Sequence, residues 1–152
     1  LLDAIAYLAG RVVEVYAVGA KGIHPDPPEG YNIEDATAVT LKFAGGGVGS
    51  VNSACTIKAG GGVGLDIYSP KAVLSYSGWN MDLTATTPDN QVEVVEGEED
   101  IFEIEDAAFL RAVATGDASQ IKCDYGQAFH AHQIAMAANR SLESGKPERV
   151  SG

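Results

Sequence analysis

The sequence predicts an α+β fold: a mostly antiparallel open sheet with helices packed on one face. Three observations carry that prediction. A helical stretch opens the chain, a block of short period-two segments separated by glycine-rich turns follows, and the hydrophobic period switches to that of helices after Ile101. Strands so close in sequence pair antiparallel, because a parallel neighbour needs a crossover of about a dozen or more residues.

Each element has a local reason. Leu1 to Leu8 reads as the tail of a helix, ended by Gly10, a residue suited to the left-handed C-terminal position. Val12 to Val18 is β-branched and aromatic, which favours a strand. The loop His24-Pro25-Asp26-Pro27-Pro28-Glu29-Gly30 holds three prolines and can be neither helix nor central strand. Val39, Leu41 and Phe43 then alternate with Ala38, Thr40 and Lys42, and Gly45-Gly46-Gly47 turns the chain into a second strand, Val48 to Thr56.

Past Gly60-Gly61-Gly62 the alternation resumes at Val63, Leu65 and Ile67. Ser69-Pro70-Lys71 punctuates it before Ala72 to Tyr76. Trp79, Met81 and Leu83 alternate with Asn80, Asp82 and Thr84, and Gln91 to Val95 is a last, weaker strand. Ile101, Phe102, Glu105, Ala108, Phe109, Ala112 and Val113 fall on one helical stripe that Thr115-Gly116-Asp117 ends. A further helix starts at Asp124, with Gln127 three residues on as a capping box, and runs to about Ser144 before Gly145 and Pro147. Ala128, Ala131, Ala135, Ala138 and Leu142 form its expected packing face.

Composition narrows the function. The 152 residues, 45% hydrophobic, suffice for one core, and the chain reads as a single domain spanning 1–152. Ten basic against twenty-one acidic residues give a net charge of −11, a field that repels a phosphate backbone, so no nucleic-acid partner is expected. No run of about 18 apolar residues is present, so no membrane partner is expected either. Leu1-Leu2-Asp3-Ala4-Ile5 has no signal-peptide pattern and no initiator Met, and reads as a cut inside a helix. Cys55 and Cys123 lie far apart without ligand spacing, which suggests free thiols in a reducing cytoplasm.

No catalytic constellation is legible. Gly45 to Gly49 and Gly60 to Gly64 lie between strands and open no helix, so they read as turns rather than phosphate cradles. His130 and His132, two apart on a helix, point about 200° from each other and cannot share a metal. His132, on the alanine face near Asn139, reads as a hydrogen-bonded core histidine, and His24 sits in the proline loop. No G-x-S-x-G elbow frames any serine, and the acidic run Glu96 to Glu105 reads as a solvated loop plus an acidic first helical turn. Lys58 and Trp79 stand out as a potential hydroxyl ligand and a potential sugar-stacking ring, against the plainer readings of a surface lysine and a core tryptophan.

Four stretches together resemble one family. Leu1 to Gly10 with the strand at Glu14-Val15, Glu34 to Phe43 followed by Gly47 and Gly49, Glu105 to Asp117, and Tyr125 to Lys146 are similar, in order and spacing, to the C-terminal domain of the Gfo/Idh/MocA oxidoreductases (glucose–fructose oxidoreductase, inositol dehydrogenase, rhizopine catabolism). The resemblance covers essentially the whole chain and implies a glyceraldehyde-3-phosphate-dehydrogenase-like C-terminal domain. It also implies a partner Rossmann domain, absent here, that binds NAD or NADP, and hydride transfer on a sugar, cyclitol or related polyhydroxy substrate.

The resemblance implies further that the open sheet face supports a homo-oligomer. The family's catalytic lysine belongs to the absent half. Its D-x-x-x-H-x-x-D motif would put the histidine just before Leu1 and leave only Asp3, in a structural role, within this chain. The chain alone is therefore expected to be inactive, with no catalytic, cofactor-binding or metal-binding residue of its own. Thr56, Lys58 and Phe102 are the expected pocket residues, with Trp79 beside them. The alternatives are a non-catalytic relative acting as a scaffold or partner-binding module, and a self-contained binding module.

Overall fold

The computed structural model describes residues 1–56 and 61–151 and has the α+β architecture expected, with antiparallel strands throughout. The strands divide between two four-stranded sheets, and the chain between two compact units, 1–58 with 123–152 and 59–122.

The first unit contains α1 (Leu2–Ala9), β1 (Val12–Ala20), β2 (Ala36–Phe43), β3 (Val48–Ala54), a long later helix over Tyr125–Ser144 and a short final strand over Glu148–Arg149. Its sheet runs β3, β2, β1, then that final strand. The β2–β3 hairpin turns at the predicted glycines: Gly46 adopts φ 89° and donates its N–H to the Phe43 carbonyl. Opposed pairs Val15–Leu41 and Ala17–Val39 put apolar side chains on one face. On the other face lie Glu14–Lys42 and Tyr16–Thr40. Ile5, Val12, Val15, Ala17, Leu41, Phe43, Ile134, Ala137 and Val150 form the core, with the long helix packed on β1 and α1 packed on the long helix.

The second unit is a meander of β4 (Gly64–Tyr68), β5 (Val73–Ser77), β6 (Asp82–Thr86) and β7 (Val92–Val95), followed by α2 (Ile101–Thr115). With α2 placed, the Tyr125–Ser144 helix is α3 and the Glu148–Arg149 strand is β8. Register sets Leu65, Ile67, Leu74, Tyr76, Leu83 and Ala85 on one face of the meander, all half-buried. Ser75, Ser77, Thr84 and Thr86 line the other.

The helix ends follow local chemistry closely. Asp124 accepts from the Gln127 N–H, Gln127 Oε1 accepts from the Asp124 N–H, and Gly145 closes α3 in the left-handed conformation. Gly116 closes α2 in the same way, and the Asp117 carboxylate accepts the Ser119 N–H and pairs with Arg111. At the other end of α2, Asp100 adopts left-handed φ 54° with no side-chain cap.

Three side-chain expectations are corrected. The buried stripe of α3 is Ile134, Ala137 and Ser141, with the alanines flanking it and Ala128 exposed. The rotation follows from Ser141, whose Oγ accepts the Ala17 N–H at 2.9 Å and donates to the Lys146 carbonyl at 2.6 Å. Beyond Val15, β1 has no β8 partner, so this hydroxyl satisfies an amide that the strand ladder leaves open. His130 therefore turns inward, half-buried, and His132 is exposed rather than in the core.

The second correction concerns α2. Of its expected apolar stripe only Ile101, Ala108 and Ala112 are half-buried, while Phe102, Phe109 and Val113 are exposed. The third is the start of β6: Trp79, Asn80 and Met81 form the β5–β6 turn, and the strand begins at Asp82.

Candidate functional site

The expected pocket residues lie on three elements. Thr56 follows β3 directly and is half-buried. Lys58 lies outside the described residues. Trp79 tops the β5–β6 turn with 71% of its surface exposed, and Phe102, in the first turn of α2, is 69% exposed. Thr56 belongs to the first unit and the two aromatics to the second.

Within the second unit the stretches that carry Trp79 and Phe102 meet at Gly97. The Gly97 N–H donates to Asp82 Oδ1 at 2.8 Å, and a Cβ at Gly97 would overlap the Asn80 carbonyl. Only glycine fits there, so the turn behind Trp79 is locked against the segment leading into α2. The turn itself is strained: Met81 sits at φ 58°, a conformation side chains with a Cβ disfavour.

The most chemically dense part of the first unit centres on Asp35, was not predicted, and reaches Cys55, the residue before Thr56. Asp35, immediately before β2, is completely buried. Its Oδ2 accepts the Ile23 N–H and its Oδ1 the Tyr31 hydroxyl, both at 2.8 Å. Its backbone carbonyl accepts the Cys55 N–H at 3.0 Å. The Tyr31 oxygen lies 3.4 Å from Cys55 Sγ, and the His24 ring tilts against that of Tyr31 with centroids 5.5 Å apart.

Asp35 therefore ties the proline loop, through its carboxylate, to the end of β3, through its backbone carbonyl. The Tyr31 hydrogen bond, with the Ile23 and His24 amides, holds the Asp35 carboxyl below its ordinary range despite burial. Hydrogen bonding to Cys55 and to Asp35 pushes the Tyr31 phenol far above its ordinary value. An ionised acceptor and a phenol that keeps its proton make a fixed hydrogen bond, not an acid–base couple.

Sequence reasoning passed over this cluster because its members are 4, 12 and 20 residues from Asp35 and belong to no motif. The one local sign was an aspartate at the mouth of an apolar strand, where burial demands partners.

Elsewhere in the first unit, Cys123 Sγ donates to Asp3 Oδ1 at 3.5 Å, joining the start of α1 to the approach of α3. Burial, then the neighbouring Asp3 carboxylate, raises the Cys123 thiol pKa. This gives Asp3 a tie between helices. Both cysteines are free. Among the described residues no three His, Cys, Asp or Glu side chains gather as metal ligands, and no helix is long and apolar enough to cross a membrane. Of the described glycines, Gly45 to Gly47 turns a hairpin and Gly61-Gly62 runs towards β4, so neither stretch opens a helix.

Neither a family model nor a curated protein matches the sequence. Solved structures do match the fold. Levoglucosan dehydrogenase in complex with NADH and levoglucosan superposes with a TM-score of 0.81 at 18% identity, over 99% of this chain and 48% of that one. UDP-N-acetylglucosamine 3-dehydrogenase GnnA from Acidithiobacillus ferrooxidans gives 0.77 at 19% identity, over 94% and 44%. An oxidoreductase domain protein from Kribbella flavida gives 0.79 at 14%, over 99% and 49%. The chain thus spans about half the length of each of these three structures and shares the fold of that half.

Proposed function

We propose that this chain is the C-terminal, substrate-side domain of an NAD(P)-dependent oxidoreductase of the Gfo/Idh/MocA type, acting on a sugar, cyclitol or related polyhydroxy compound. The observation that carries the proposal is the match of nearly the whole chain to one half of dehydrogenases such as those of levoglucosan and UDP-N-acetylglucosamine. The four sequence stretches that resemble the family add to it independently.

In this reading residues 1–152 act as one functional domain, and a Rossmann domain elsewhere in the protein supplies the dinucleotide and the acid–base groups. Thr56 and Lys58 of the first unit, and Phe102 and Trp79 of the second, are the residues assigned to substrate contact, as hydroxyl-binding and stacking groups. An open sheet face joins copies into a homo-oligomer, and the enzyme works in the cytoplasm. A second reading, a non-catalytic partner-binding relative, is favoured by one observation: α2 leaves Phe102, Phe109, Leu110 and Val113 uncovered.

The test is a spectrophotometric scan of the complete protein for NAD+ or NADP+ reduction with levoglucosan, L-sorbose, D-glucose and myo-inositol, alongside this chain alone. Turnover by the complete protein and none by the chain is the expected result. A complete protein whose sequence lacks the motif lysine and histidine, and which reduces neither cofactor, is a scaffold instead. Light scattering on the same sample tests the oligomer; a monomer at high concentration removes that part.

A further inference from the structure

We propose that Asp35 and Tyr31 are positioning residues that hold the end of β3, and so set where Thr56 presents its hydroxyl to a polyhydroxy ligand. The proposal rests on the reading of Thr56 as a pocket residue. Three observations lead to it. Asp35 is wholly buried although charged, and it spends its two oxygens on the far loop, one on the Ile23 amide and one on the Tyr31 hydroxyl. Tyr31 does not stop at Asp35; its oxygen also meets Cys55 Sγ at 3.4 Å. Cys55 is further pinned by its own N–H to the Asp35 carbonyl, and Thr56 is the next residue.

The ladder between β2 and β3 ends at the Ala36–Ala54 pair, with one further in-register bond from the Cys55 N–H to the Asp35 carbonyl, so beyond Cys55 strand pairing no longer defines the path of the chain. The Asp35–Tyr31–Cys55 contacts take over at that point. A group that must meet a sugar hydroxyl within hydrogen-bond tolerance needs such support, since a displacement of about 1 Å is enough to lose much of the benefit of orientation. The same contacts fix residues 23–31, a loop whose prolines deny it any regular ladder of its own.

The experiment is a double-mutant cycle in the complete protein with Tyr31→Phe and Thr56→Ala. KM and kcat are measured with whichever of levoglucosan, L-sorbose, D-glucose and myo-inositol is turned over. Tyr31→Phe keeps the ring against His24 and removes only the hydroxyl. It is expected to raise KM about tenfold with kcat nearly unchanged, the middle of the coupling range for residues in one network. With Thr56 already Ala, Tyr31→Phe should raise KM no further. Additive effects, or an unchanged KM in Tyr31→Phe while Thr56→Ala raises it, overturn the positioning role and leave the pocket reading standing. If Thr56→Ala leaves KM untouched, the pocket assignment is wrong and the proposal falls with it.

A substrate-free measurement runs beside the cycle. Amide hydrogen exchange at Cys55, whose N–H is held by the Asp35 carbonyl, should quicken about tenfold on Tyr31→Phe, because the β3 end is released by a local opening rather than by global unfolding. An unchanged exchange rate means that the hydroxyl holds nothing in place, and it overturns the proposal whether or not a substrate has been found.

Discussion

The two units of the molecule are built from similar strands yet bury their residues very differently. Among the described residues all eleven buried side chains belong to the first unit, and none of 61–122 is buried. Charge divides as unevenly. Residues 59–122 hold twelve acidic and three basic side chains, a net −9, while the rest hold nine and seven, a net −2. The first unit has α3 laid on a sheet and α1 packed on α3 around a shared core. The second has a meander whose better face is only half-buried and a helix with much of its apolar surface in water. The lesson is that period-two alternation marks a strand with two unlike faces, but does not say that anything covers the apolar one.

The sharpest way to break this contrast is a pair of truncations. Ile134→Ala empties a site on the inner face of α3 and should cost this chain about 2–5 kcal/mol in urea unfolding. Leu110→Gln, on exposed α2 with a residue of similar helix propensity, should stay within about 0.5 kcal/mol of the parent. A loss at Leu110 comparable to that at Ile134 would show that the second unit is covered in solution.

A smaller effect distinguishes the units by pH. Asp35 has a folded-state pKa below its unfolded one, so its stabilisation is fully present above the ordinary carboxylate range and disappears as pH falls through the lowered value. Thermal melts from neutral pH down to acid should therefore show Tm falling more steeply for the parent than for Asp35→Asn, which begins lower. Parallel curves would mean that Asp35 is not ionised in its buried setting.

The smallest change is expected in the second unit, at the strained turn. Met81→Gly relieves a left-handed residue and should stabilise the unit by about 1 kcal/mol, read as a later urea midpoint. Destabilisation would mean that the Met81 side chain contributes more to packing than the backbone loses to strain.

Features that depend on a few neighbouring residues were legible in the order of amino acids. The Asp124–Gln127 box and Gly145 bound α3, Gly116 ends α2, and Gly46 turns the β2–β3 hairpin, because capping and turn geometry are satisfied within one turn of chain. The α+β class follows from the switch of hydrophobic period, and antiparallel pairing from the short connections between most strands. The β6 boundary was misread because Trp79 and Met81 kept the alternation running through a turn.

Tertiary structure decided the rest. It chose which stripe of α3 faces inward, since a helix rich in small residues is permissive on several sides and the open Ala17 amide, 124 residues away, selects Ser141. It split the strands between two sheets, a choice that depends on which edges find partners. It also assembled Asp35, Tyr31 and Cys55 from three separate segments, because a buried carboxylate must recruit its donors wherever the fold brings them.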